Sequence, residues 1–129
     1  MDLKTYVSNL TNSDKSRVAS IVGDIADACK LISYDIERSG LLELHGAIGV
    51  KNTQGEEVQI LDDKCNKSMD ESLRKNPNVI AIASEEEDDI VTYREGSGYI
   101  VAFDPLDGSS NIDFQASVGT IFSILKATD

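Results

Sequence analysis

The chain carries its chemistry in two acidic clusters. Ser84-Glu85-Glu86 follows one short apolar run, and Asp104-Pro105-Leu106-Asp107 follows another. Carboxylates just past the ends of sheet strands face the crevice where α/β proteins bind ligands. Several hard oxygen donors at one place suit Mg²⁺ or Mn²⁺. The Leu106 carbonyl, lying between the two aspartates, is a further candidate oxygen ligand. Pro105 has a fixed φ and is expected to hold a turn between the aspartates.

Gly108-Ser109-Ser110-Asn111 comes next. Glycine lets backbone approach a ligand closely, and Ser and Asn favour a helix start. Free N–H groups at such a start bind phosphate without Lys or Arg. Each cluster also has a plainer reading. An Asp-Pro-x-Asp-Gly stretch suits an ordinary surface turn, and Glu85 to Asp89 suits a solvated acidic loop. Their shared placement after apolar strands, and the Gly-Ser-Ser-Asn continuation, favour a metal and phosphate site.

These residues need elements to position them. Val18, Ile21, Val22, Ile25, Ala28, Cys29, Ile32 and Ile36 recur at helical steps after Thr11-Asn12-Ser13-Asp14. That stripe predicts a long amphipathic helix ending near Ser39-Gly40, with a possible break at Gly23. Lys51 to Gly55 predicts a turn. Leu61, Cys65, Met69 and Leu73 predict a second helix, closed by Asn76-Pro77-Asn78. Val79 to Ala83, Tyr99 to Phe103 and Val118 to Leu125 predict three strands. The fold class expected is α/β, with N-terminal helices packed on a β-sheet. Three strands make a thin sheet with an edge to cover, so residues 1–129 are expected to be part of a larger protein or to need a partner.

Composition narrows the partners. The net charge of −11 leaves no basic patch for nucleic acid or an anionic membrane. No apolar run is long enough to span a bilayer, and Met1 to Leu10 has no secretory apolar core. Cys29 and Cys65 are too few for a disulfide framework and read as buried thiols, which points to a reducing, cytoplasmic setting. The single histidine, His45, reads as structural or surface.

The stretch Phe103 to Asp113, FDPLDGSSNID, resembles the signature of the fructose-1,6-bisphosphatase family, within the lithium-sensitive, inositol monophosphatase-like phosphatases. Ser117 to Phe122, Ser84-Glu85-Glu86, Leu61-Asp62 and Gly55-Glu56 also match, so the resemblance runs from about Val18 to the end. It implies a layered α-β-α-β-α sugar phosphatase fold, of which residues 1–129 are the N-terminal metal-binding portion. It implies Glu85, Asp104, Asp107 and the Leu106 carbonyl as metal ligands, with Glu56 where the family often has Asp. Asp62 and Glu86 would position and deprotonate the attacking water. Asp107, Gly108, Ser109, Ser110 and Asn111 would line the site of the 1-phosphate.

The same resemblance implies two or three ions per site, Mg²⁺ first, with Mn²⁺ or Zn²⁺ as alternatives. It implies hydrolysis of the 1-phosphate of fructose 1,6-bisphosphate in gluconeogenesis, by a cytoplasmic homotetramer. Sedoheptulose-1,7-bisphosphatase shares the metal chemistry; Asn111-Ile112-Asp113 favours the fructose enzyme. Inositol monophosphatase usually has Thr after the glycine and lacks the second Ser. Two features depart from the family. Its members run to more than twice this length, so a non-catalytic fragment lacking the substrate-binding half is the competing reading. Gly98 also stands where animal members use a basic residue to bind AMP, and their Thr-Gly-Glu loop has no clear match near Ile21 to Asp24. Both points argue against AMP inhibition.

Overall fold

The computed structural model describes residues 13–44, 54–110 and 117–127, with Asp2, Thr5 and Asn9; of residues 39–44 and 54–57 it describes the backbone alone. Among the described residues, two long helices, α1 (Ser13–Leu44) and α2 (Gln54–Arg74), precede four strands. These are β1 (Val79–Ser84), β2 (Val91–Thr92), β3 (Gly98–Asp107) and β4 (Gly119–Ala127), in sheet order β2-β1-β3-β4. β1 and β3 are parallel; the other two pairings are antiparallel. The expected α/β class, helices on a sheet, is the observed one.

The core follows from two helical rows meeting one sheet face. On α1, Ile21, Ile25, Ala28 and Ile32 are buried at steps of four, three and four. On α2, Leu61, Cys65, Met69 and Leu73 form an unbroken every-fourth-residue row, all buried. Such rows interdigitate when helices pack. Val79 and Ile82 of β1, with Tyr99, Val101, Phe103 and Leu106 of β3, complete the cluster. Each large apolar side chain removed from water contributes roughly 1.5–3 kcal/mol.

Several sequence expectations are corrected here. α1 runs unbroken through Gly23 and on to Leu44, past Ser39-Gly40. A lone glycine costs about 1 kcal/mol in a helix, less than the burial of Ile21 and Ile25 on either side contributes. Gln54 and Gly55 belong to α2 rather than to a turn, so Leu61-Asp62 lies inside that helix. The sheet has four strands among the described residues, because β2 is too short to show periodicity. Cys65 is buried as expected, whereas Cys29 is half-buried; both are free thiols. His45 and the turn residues 51–53 lie outside the described residues.

The junction of α2 and β1 is tied by side chains. Arg94 donates to the carbonyl of Arg74 (2.8 Å) at the helix end and to that of Asn76 (2.6 Å), which also accepts the Val79 N–H at 3.1 Å. Buried Asn76 donates to Asp24 (2.5 Å) and Ser20 (3.1 Å) on α1. At the same end of the sheet, Tyr99 and Lys126 both donate to Asp14, at 3.1 and 2.9 Å.

Gly98 shows why a side chain is excluded where β3 begins. A Cβ there would lie 2.5 Å from Ile80 Cγ2 and 2.9 Å from the Asn78 carbonyl oxygen. The isoleucine can rotate, but that carbonyl is held by the Tyr99 N–H at 2.8 Å. Gly98→Ala is therefore expected to cost about 1–3 kcal/mol in urea unfolding. An unchanged midpoint would mean that the strands ease apart freely.

Candidate metal and phosphate site

β1 and β3 are adjacent and parallel, so their C-terminal ends lie side by side. Both end in acids. β1 delivers Ser84 into the turn at Glu85 and Glu86. β3 carries Asp104 and Asp107 within the strand itself, not in a turn after it. This corrects the expected turn between the aspartates. The register with β4 shifts between Asp104 and Asp107, and Pro105 and Leu106 are buried in succession there. A bulge of this kind accommodates a proline that has no N–H to give the ladder. The Pro105 carbonyl accepts from Thr120 Oγ1 at 2.9 Å, while Asp104 Oδ1 accepts the Leu106 N–H at 3.1 Å.

Glu85, Glu86 and Asp104 converge, each offering a carboxylate oxygen within 4.8 Å of the others. Glu86, assigned from the sequence to the attacking water, thus shares one space with two expected metal ligands. Asp107 is exposed and stands outside that trio of carboxylates. Asp62, one turn before Asn66 on α2, faces the same charges. Glu56 has its backbone in α2, but its side chain lies outside the described residues, as does Asn111.

Charge crowding marks the site. The pKa of Glu86 is raised from 4.5 to about 7, by burial first and then by Asp62, Glu85 and Asp104. Burial also raises Asp62, opposed by Ser109 and reinforced by Asp104, Glu85 and Asp63. Asp104 is raised by burial against the Leu106 N–H that favours its charge. Among the described residues, Asp62 Oδ1 is buried without a hydrogen-bond partner. Carboxylates crowded together, Glu85 and Glu86 exposed, Asp104 half-buried and one Asp62 oxygen orphaned, are a donor set that a hard divalent cation fits.

The chain turns immediately after these acids. Gly108 has φ of +83°, a region that only glycine enters at little cost. Ser109 and Ser110 then begin a tight helical turn, the helix start expected there, and Ser109 reaches Asp62. Sequence reasoning missed Asn66 and took Ser84 only as part of the Ser84-Glu85-Glu86 motif. Both are buried and bonded to each other behind the acids. A polar residue on an amphipathic helix gives no sign by itself of facing inward.

Fold and site define the class first: an α/β protein that gathers carboxylates and a glycine-opened turn at the ends of parallel strands. The model of the fructose-1-6-bisphosphatase N-terminal domain matches residues 5–129. The fructose-1,6-bisphosphatase class 1 of Saccharophagus degradans is 46% identical over 109 residues, covering 84% of this chain and 34% of that protein. Its counterpart from Acinetobacter baylyi is 39% identical over 127 residues, covering 98% and 39%. The crystal structure of Leishmania major fructose-1,6-bisphosphatase in holo form superimposes with a TM-score of 0.75 at 27% identity, covering 98% of this chain and 38% of that one. The T-state structure of the same protein gives 0.73 at 28% identity, covering 98% and 37%. The chain belongs to the fructose-1,6-bisphosphatase family. It spans 34% to 39% of the length of these curated relatives.

Proposed function

We propose that residues 1–129 form the N-terminal metal-binding portion of an enzyme that hydrolyses the 1-phosphate of fructose 1,6-bisphosphate to fructose 6-phosphate and phosphate. The observation that carries this reading is the convergence of Glu85, Glu86 and Asp104 at the ends of two parallel strands, within a chain of this family. Glu85 and Asp104 hold the cation, with Asp107, the Leu106 carbonyl and Glu56 as further ligands. Mg²⁺ is the first choice and Mn²⁺ or Zn²⁺ the alternatives, at two or three ions per site. Such ions supply positive charge against the phosphoryl oxygens and make water more acidic.

The chain's own residues do the rest. Gly108, Ser109, Ser110 and Asn111 seat the phosphate on backbone N–H and hydroxyl groups. Asp62 and Glu86 orient the attacking water and take its proton. A carboxylate whose pKa lies near neutrality is poised for that transfer. No covalent nucleophile is needed, because positioning and charge neutralisation dominate phosphoryl transfer. The working form is a cytoplasmic homo-oligomer, a tetramer in the family. No described helix is long and apolar enough to cross a membrane. The relatives' greater length makes cation binding with little turnover the proposal for these 129 residues by themselves.

The test is phosphate release from fructose 1,6-bisphosphate by the longest form the gene encodes, with and without Mg²⁺. Asp104→Ala is expected to lower Mg²⁺-dependent release by at least ~10²-fold. Release indifferent to both Mg²⁺ and Asp104→Ala would overturn the proposal.

A further inference from the structure

Three consecutive glutamates follow β1, yet only two of them join Asp104. Glu87 is turned aside. Its Oε1 accepts a hydrogen bond from Asn66 Nδ2 at 2.8 Å. The other end of the same amide, Asn66 Oδ1, accepts from the Ser84 hydroxyl at 2.6 Å. Ser84 Oγ in turn accepts the Glu86 N–H at 3.2 Å. Asn66 and Ser84 are both buried.

The backbone of this turn is tied as closely as its side chains. The Glu85 N–H donates to the Phe103 carbonyl at 3.0 Å, and the Glu87 N–H to the Ser84 carbonyl at 3.2 Å. With the Glu86 amide on Ser84 Oγ, the amides of all three glutamates have partners. Asn66 also stands four residues after Asp62 on α2, about 6 Å along the axis and on the same face. One helix face therefore presents an acid to the site and, one turn later, the amide that fixes the neighbouring loop.

We infer that Asn66, acting through Ser84, is the positioning residue of the carboxylate site: it ties Glu87 to α2 and leaves Glu85 and Glu86 to converge with Asp104. The inference rests on the cation reading of that cluster given above. The physical reason is repulsion. Three adjacent carboxylates spread apart unless something anchors them, and a spread turn pays the full ordering cost when a cation binds. Groups that orient ligands from behind are typically worth ~10- to 100-fold in metal affinity.

The experiment is calorimetric titration of the chain with Mn²⁺, at a temperature where circular dichroism shows each variant folded. Asn66→Ala and Ser84→Ala are expected to weaken Mn²⁺ binding by ~10-fold or more, while Ser84→Thr, which keeps the hydroxyl, stays within ~3-fold of wild type. A merely structural role would lower the melting temperature and leave the affinity of the folded protein unchanged. Wild-type affinity in both alanine variants overturns the inference, and so does equal weakening in Ser84→Thr and Ser84→Ala. Should Asn66→Ala not fold, the Ser84 pair decides alone. Asp104→Ala separates the two readings. If wild type binds Mn²⁺, Asp104→Ala does not, and Asn66→Ala matches wild type, only the positioning role is lost. If wild type does not bind at all, the cation reading falls and the positioning role with it.

Discussion

Asp62→Asn is expected to make the folded chain more stable and the full enzyme much less active. Asp62 is half-buried, and burial is the largest cause raising its pKa. Asp104, Glu85 and Asp63 add repulsion, and Oδ1 has no hydrogen-bond partner. A buried, unsatisfied acceptor costs roughly 1–3 kcal/mol. Asparagine has nearly the same shape, carries no charge, and brings donors to a site crowded with acceptors. The expected gain is about 1 kcal/mol, read as a rise of about 3–5 °C in the melting temperature without cation. The same change removes a group proposed to orient and deprotonate the attacking water. Phosphate release is therefore expected to fall by ~10²- to 10⁴-fold. A purely structural aspartate would behave the opposite way, losing stability while sparing activity. That outcome would remove Asp62 from the catalytic set.

Without divalent cation, the chain should lose stability as pH rises towards neutrality. Glu86 binds its proton with a pKa of about 7 when folded, against 4.5 as the ordinary value. Asp62 and Asp104 are shifted in the same direction. Between those limits the folded state holds protons that the unfolded state has released. Stability then falls with rising pH, and the fall ends above the folded value. The pH window is therefore from about 4.5 to about 7. Positive charge placed among the carboxylates reverses the repulsion, so Mg²⁺ or Mn²⁺ should raise the melting temperature more at about pH 8 than at about pH 5. Thermal melts across that range, with and without cation, measure it. Glu86→Gln should flatten part of the cation-free slope. An identical slope in that variant would show that the pH dependence arises elsewhere, as from the net charge of −11.

Much of this was legible in the residues because it rests on local rules. The row Leu61, Cys65, Met69 and Leu73 could only be a helix face, and all four side chains are buried. Val79 to Ala83 and Tyr99 to Phe103 read as strands because apolar runs of that length need burial on a sheet. What misled was local punctuation overruled by packing. Gly23 suggested a break, yet the rows on either side hold α1 together. Asp104-Pro105-Leu106-Asp107-Gly108 has the residues of a turn, yet pairing with β4 carries the strand through Asp107 and places the turn at Gly108.

The sequence by itself determined the chemical inventory: which acids lie at strand ends, where glycine opens a turn beside them, and the family those motifs belong to. These depend on residue type and spacing along the chain. Only the tertiary structure decided which acids meet. Glu85 and Glu86 join Asp104 because β1 and β3 run parallel and side by side. Asp107 lies outside that trio, and Glu87 is held aside by Asn66. Convergence is a property of strands and helices far apart in sequence, so neither spacing nor composition could show it.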